Sequence, residues 1–207
     1  MSANPRPVHR ITLPLTRKKA APLEAGDKVL LSGIIYTARD AAHRRLDALL
    51  NEGNPLPFPL EDACIYYAGP SPAAPGKIIG SVGPTTSYRM DTWAPRLLML
   101  GLRGMIGKGE RSEEVIRAMK WAGAVYLGAI GGAGALLSNC ITASQTIAFE
   151  DLGAEAIRRL EVKDFPATVI IDSRGENLYR VGRHNYLLSL NRAGSDSTGP
   201  HETPSGG

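Results

Sequence analysis

Apolar residues along this chain gather into short runs bounded by glycine and proline, and these runs alternate with stretches of helical period. Lys28-Val29-Leu30-Leu31-Ser32-Gly33-Ile34-Ile35-Tyr36 is rich in β-branched and aromatic side chains and reads as a buried strand. Cys64-Ile65-Tyr66-Tyr67-Ala68, Lys77-Ile78-Ile79-Gly80-Ser81-Val82, the start of Gly101-Leu102-Arg103-Gly104-Met105-Ile106 and Ala124-Val125-Tyr126-Leu127-Gly128-Ala129 read the same way. Between them the period lengthens. Residues 38–51 form a predicted helix with Leu46, Leu49 and Leu50 turned inward, opened by a capping box in which Thr37 is the N-cap and Asp40 the third helical position. Residues 92–100 are mostly helical in pattern, and Ser112 caps a helix over 113–121 with acids in its first turn. Beyond Cys140 the pattern predicts strands over 145–150, 156–162, 168–172 and 176–179, the last pair joined by the Ser173-Arg174-Gly175 turn. The order predicts an α/β fold with one domain over residues 25–183. Residues 1–24 read as a tail or an arm that pairs with a partner, and residues 184–207 as a disordered tail.

Composition narrows the function. The 207 residues suffice for one sizeable core, and 43% hydrophobic with 21% charged residues is an ordinary globular balance. The formal charge of +4 comes largely from Arg6, Arg10, Arg17, Lys18 and Lys19, which precede the first acid, Glu24. With only 6% aromatics and no basic stripe interleaved with them, nucleic acid is not the expected partner; a small anion fits better. Cys64 and Cys140 stand far apart, which excludes a disulfide framework or a metal cluster built from this chain's cysteines alone. No apolar run approaches the ~20 residues of a membrane span, and the N-terminus lacks a secretory core. Its arginines hint at an organelle transit peptide, but Pro5, Pro7 and Pro14 would spoil the helix that such a peptide needs. A cytoplasmic setting is expected.

The chemistry concentrates in three turns. In Gly83-Pro84-Thr85-Thr86-Ser87-Tyr88-Arg89-Met90, Thr85 or Thr86 reads as the N-cap of a following helix. Backbone N–H groups, two hydroxyls and Arg89 would then converge on a small carboxylate or phosphate; a capped helix with a solvated arginine is the plainer alternative. Thr37-Ala38-Arg39-Asp40-Ala41-Ala42-His43 is a second junction. Its arginine sits where the helix dipole is unfavourable to cations, so Arg39 is either solvated or meets an anion. In Gly107-Lys108-Gly109 the glycines leave Lys108 uncrowded. This is not a Walker A loop, because Leu102 stands where its first glycine belongs. Gly132 and Gly134 are not a dinucleotide turn, because Leu137 replaces the third glycine.

Together these three motifs, with Tyr67-Ala68-Gly69-Pro70, Tyr126-Leu127-Gly128-Ala129-Ile130-Gly131-Gly132 and Glu161-Val162-Lys163-Asp164-Phe165-Pro166-Ala167, resemble the β subunit (C-terminal domain) of iron–sulfur, class I fumarate hydratases and the related L(+)-tartrate dehydratase β subunit. The similarity spans roughly residues 23–179. It implies a swivelling β/β/α domain that closes over a 4Fe-4S cluster held by an α subunit, in a hetero-oligomer such as α2β2. It also implies that Arg39, Thr85, Thr86, Arg89 and Lys108 contact a dicarboxylate substrate, with Thr85 and Arg89 catalytic. Fumarate hydration to L-malate is the expected reaction; tartrate or mesaconate-type hydration, and a non-catalytic dicarboxylate-binding module, are the alternatives. Arginine would clamp a carboxylate bidentately and lysine as a point charge. Cations at that position would stabilise the aci-carboxylate that develops as the C–H bond breaks, while the open iron of the partner would act on the leaving hydroxyl.

Overall fold

The computed structural model describes residues 8–129 and 134–180. The chain runs β1 (Val8–Thr12), α1 (Arg17–Ala20), β2 (Lys28–Thr37), α2 (Asp40–Asn51), β3 (Cys64–Tyr66), α3 (Ala94–Met99), β4 (Gly104–Gly107), α4 (Glu113–Ala122), β5 (Val125–Gly128), α5 (Gly134–Ser138), β6 (Ile141–Ala148) and β7 (Ile157–Ile171). Strands β2 to β5 are parallel, and β7 returns antiparallel to both β5 and β2, so five strands close into a barrel-like ring. Length makes the closure possible. The fifteen residues of β7 pair with β6 through 157–162 and with β5 through 168–171, while its other edge follows β2 over 158–168. No helix among the described residues is long and apolar enough to cross a membrane.

Alternation along the ring strands feeds two cores. Cys64, Tyr66, Ile106, Val125 and Leu127 join the interior cluster, and Ile65, Met105 and Tyr126 join a second one with Leu46, Leu97 and Met119 beneath α2, α3 and α4. Burial on both faces is why these strands read as continuous apolar runs rather than as an alternation. Inside the ring Tyr66 meets Phe165 edge to face at 5.4 Å, an arrangement worth about 1 kcal/mol beyond its area.

Four expectations change. Residues 8–24 belong to the domain rather than to a tail: β1 lies parallel on the first half of β2, and Leu15, Ala20 and Leu23 are buried in the interior core. Residues 77–82 are a loop, since the ring closes through β7 without them. Ile79 and Val82 enter the core from that loop, which Tyr66 fastens by donating its hydroxyl to the Val82 carbonyl at 2.7 Å. The strands expected at 156–162 and 168–172 are one, β7. Pro166, which cannot donate to a ladder, and Asp164 at φ +50 interrupt the strand signal but only bend the pairing. Of residues 176–179 only Asn177 forms an isolated bridge, to Ile171. The expected tail at 184–207 and the turn at 130–133 lie outside the described residues.

Candidate active site

Every predicted site residue sits at or just beyond the carboxyl end of the parallel strands. β2 ends at Thr37. The capping box expected there does not form: the Thr37 hydroxyl donates to the Ala156 carbonyl at 3.4 Å and accepts from the Arg158 N–H at 3.0 Å, and α2 begins only at Asp40, with extended Arg39 before it. The helix is capped from elsewhere. The Ala41 N–H donates to Glu155 Oε2 at 2.9 Å, and Glu155 Oε1 lies 3.7 Å from Arg39 Nη2. A carboxylate from the segment before β7 thus meets the helix start and the arginine together, offsetting the unfavourable dipole at Arg39. No local spacing flags Glu155, because the contact spans over a hundred residues. The Arg39 side chain crosses Gly69, where an added Cβ would lie 2.9 Å from Nη1 and 2.8 Å from the Ala154 carbonyl, so only glycine fits.

The segment 83–91 extends the strand ends instead of opening a helix. Pro84 bridges Ala68, the Thr85 N–H donates to the Tyr67 carbonyl at 2.7 Å, Thr86 bridges Lys108, and the Ser87 N–H donates to the Lys108 carbonyl at 2.9 Å. Only a short 3-10 turn, Ser87–Met90, comes next, and Thr86 before it makes no side-chain cap. The expected convergence of free N–H groups is therefore absent at Thr85 and Ser87, and side chains supply the charge. Arg89 holds Asp40 with two nitrogens, Nε to Oδ1 and Nη2 to Oδ2, each at 2.8 Å. The same Asp40 lies 4.0 Å from Arg39 Nε. Two guanidinium groups from separate loops thus flank one carboxylate. Lys108 is exposed beyond β4, with no ion-pair partner among the described residues, and the Thr85 and Thr86 hydroxyls likewise have no hydrogen-bond partner there.

A buried polar layer lies underneath. The Lys108 N–H donates to Ser87 Oγ at 3.1 Å, and Ser87 Oγ is 2.9 Å from the Tyr126 hydroxyl, itself 2.9 Å from the Gly109 carbonyl. A phenol has one proton, so Tyr126 donates to Gly109 and accepts from Ser87. Gly107 leaves room for this chain: a Cβ there would stand 2.0 Å from Ser87 Oγ. Buried Arg111 donates from Nε to Asp91 Oδ1 at 2.7 Å, and Asp91 Oδ2 accepts from the Ser112 N–H at 2.6 Å. The Arg111 guanidinium lies 5.2 Å from the ring centres of both Tyr67 and Tyr126, a double cation–π contact. Burial disfavours its charge, but Tyr67 and Asp91 more than offset this and raise its pKa. Burial pushes the Tyr67 phenol up, and pushes His43 down to about 4. His43 lies in the motif of residues 37–43 and Arg111 two residues beyond Gly109, but neither was predicted as a site residue; their burial became visible only in the folded chain.

The comparisons decide the family. The sequence model described as Fumarase C-terminus matches residues 2–182. The chain belongs to the fumarase C-terminus family. It is 37% identical over 176 residues to "Fumarate hydratase 2" of Leishmania major, covering 84% of this chain but 30% of that protein. To "Fumarate hydratase class I, aerobic" of Escherichia coli strain K12 it is 39% identical over 155 residues, 74% of this chain and 28% of that one. The chain thus spans under a third of these fumarate hydratases. A "Putative L(+)-tartrate dehydratase subunit beta" of Methanocaldococcus jannaschii is 39% identical over 183 residues, covering 86% of this chain and 94% of that subunit.

The described residues of this family member do not fit a 4Fe-4S cluster. Cys64 faces the interior of the ring, where burial pushes its thiol up to about 12. Cys140, half-buried, is also pushed up by burial. No group of three or more histidines, cysteines or acids is placed to hold a metal among the described residues.

Proposed function

We propose that this chain is the carboxylate-binding subunit of a two-chain hydro-lyase that hydrates fumarate to L-malate, paired with an α subunit that carries the 4Fe-4S cluster, in an assembly such as α2β2 in the cytoplasm. The observation that carries the proposal is the approach of Arg39 and Arg89 to the single Asp40 carboxylate, with Lys108 and the Thr85 and Thr86 hydroxyls on adjoining strand ends. A dianion needs cations on two sides, and these loops supply them without a metal of their own. Arg39, Arg89 and Lys108 would clamp the two carboxylates, and Thr86 would donate to one of them. Charge grows on the carboxylate next to the carbon that loses its proton, and a guanidinium fixed there lowers that barrier. Thr85 lies in the same strand extension. An ordinary threonine is a very weak base, so it would act under the field of the neighbouring cations or else orient the substrate. Asp40 would act by holding Arg89 in place before the substrate arrives.

The near full-length match to a subunit named for tartrate dehydration supports a second reading, that the substrate is L(+)-tartrate. One experiment separates the two. The chain expressed alone should be colourless and inactive; co-expressed anaerobically with its α partner it should give brown protein that hydrates fumarate faster than mesaconate and faster than it dehydrates tartrate. Activity from this chain alone would refute the two-chain proposal, and preference for tartrate would select the second reading. Cluster-loaded pairs inert toward all of these acids would leave a non-catalytic dicarboxylate-binding module.

A further inference from the structure

Among the described residues five buried side-chain atoms have no hydrogen-bond partner: Arg39 Nε and Asp40 Oδ2 in the cationic loops, Arg158 Nε on β7, and, beneath the loops, Arg111 Nη2 and His43 Nε2. Arg111 Nη2 can only donate. His43 Nδ1 lies 2.9 Å from the Arg39 carbonyl oxygen, which can only accept, so Nδ1 carries the ring proton. With its pKa pushed down to about 4 by burial, the ring is neutral near pH 7 and Nε2 is an acceptor. A donor and an acceptor are thus left over in one buried layer. Both side chains pack on Tyr67, His43 at 5.4 Å between ring centres and Arg111 at 5.2 Å, and the Arg111 charge acts on the His43 ring. Leaving either atom unbonded would cost the desolvation penalty of a buried polar group with no partner in return. A buried water shared between them removes both costs.

We infer that one ordered water joins Arg111 Nη2 to His43 Nε2, and that this joint makes Arg111 the positioning residue that sets the distance between the Arg39 loop and the Arg89 and Lys108 loops. The inference rests on the dicarboxylate reading above. The connection is continuous in space. The Arg39 carbonyl holds His43; Arg111 holds Asp91, two residues beyond Arg89; Asp91 holds the Ser112 N–H, four residues beyond Lys108; and Tyr67, against the Arg111 guanidinium, holds Thr85 through its carbonyl. Arg111 itself is enclosed and touches no ligand. A diacid gripped from two sides senses the spacing of its grips as its own chain length, so loosening the joint should blur length discrimination before it abolishes binding.

The test uses the assembled two-chain enzyme, with succinate and glutarate as unreactive inhibitors one methylene apart. A well-set site should distinguish them by at least about tenfold in Ki. His43→Phe keeps a ring but removes the acceptor, and Arg111→Lys keeps the charge but loses the fork; each should cut the ratio to about threefold or less, mainly by weakening succinate. His43→Gln, which returns an acceptor, should restore most of the ratio. The ratio is read on folded enzyme, so a loss of stability alone does not move it. Folded His43→Phe enzyme with an unchanged ratio would overturn the inference, as would a wild-type ratio near one. If Arg111→Lys does not fold, the two His43 variants decide. Arg89→Lys serves as the control for the dicarboxylate reading: if it binds succinate as the wild type does, that reading fails; if it loses succinate while His43→Phe keeps the ratio, only the present inference fails.

Discussion

The two ends of β4 each carry a buried arginine, and the two are used differently. Arg103, just before the strand, has all its nitrogens engaged: Nε with Asp62 at 3.1 Å, Nη2 with Glu61 at 3.3 Å and Nη1 with the Ala122 carbonyl. It ties the amino end of the ring to the end of α4, and nothing of it is left for a ligand. Arg111, beyond the other end of the strand, engages Asp91 and Tyr67, while its Nη2 has no hydrogen-bond partner among the described residues. Above it stand Arg39, Arg89 and Lys108, the first two sharing Asp40 and the third exposed. Buried polar groups are nearly always satisfied, so the unsatisfied one marks the end of the barrel where something beyond folding is being arranged. Parallel strands place that end at their carboxyl termini, as in other sheets that bind ligands there.

The contrast can be broken in three ways. The largest effect belongs to the open end. Arg89→Lys removes the two-nitrogen grip on Asp40 and on any carboxylate, and should lower kcat/KM of the assembled enzyme by about 100- to 1,000-fold while the melting temperature moves little, since the side chain is exposed. An Arg89→Lys chain that fails to fold would move this residue to the structural side of the comparison.

The next effect concerns pH. His43 in the folded chain has a pKa of about 4, below the ordinary value of 6.5, because it is buried, with the Arg111 charge acting the same way and the Arg39 carbonyl and Asp40 acting against. Between those values the unfolded chain binds the proton that the folded chain refuses. Stability is therefore complete above pH 6.5 and should fall as the pH drops toward 4, by about 3 kcal/mol from this group. Urea midpoints measured across that range for wild type and for His43→Phe should differ in slope, the variant being flatter. Equal slopes would mean that His43 is charged or accessible in the native state.

The smallest effect lies at the closed end. Arg103→Met keeps the bulk but strands the Ala122 carbonyl and Asp62, and should cost about 2 kcal/mol of stability in urea titrations while leaving kcat/KM per folded enzyme within about twofold. A selective loss of activity in this variant would erase the distinction between the two ends.

How much of the fold and site was legible from local pattern varies along the chain. The Ser112 cap and the helix it opens were readable because a cap is a contact over three residues: the Ser112 hydroxyl accepts from the Val115 N–H at 3.3 Å, and Gly123 in the left-handed conformation ends α4 at the other side. The expected cap at Thr37 failed for the complementary reason, since a partner from before β7 outcompeted the local one. Residues 8–24 looked like a tail because their charge and prolines hide the spacing of Ile11, Leu13 and Leu15, which matters only once β2 offers an edge. The run at 77–82 was apolar enough for a strand, but the ring closes through β7 without it, and Ile79 and Val82 reach the core from a loop.

The amino-acid sequence alone determined the apolar runs of β2 to β5, the glycines where backbones or side chains cross, the presence of Arg39 and Lys108 directly after strands, and that of Arg89 in the turn after Thr85 and Thr86, because each depends on neighbours in the chain. Only the tertiary structure decided that β7 closes the ring, that Asp40 and Glu155 receive the two arginines, and that Arg111 and His43 lie buried beneath them with one donor and one acceptor to spare. Those outcomes depend on groups brought together from across the chain, where desolvation and unmet hydrogen bonds arise only after folding has removed water from them.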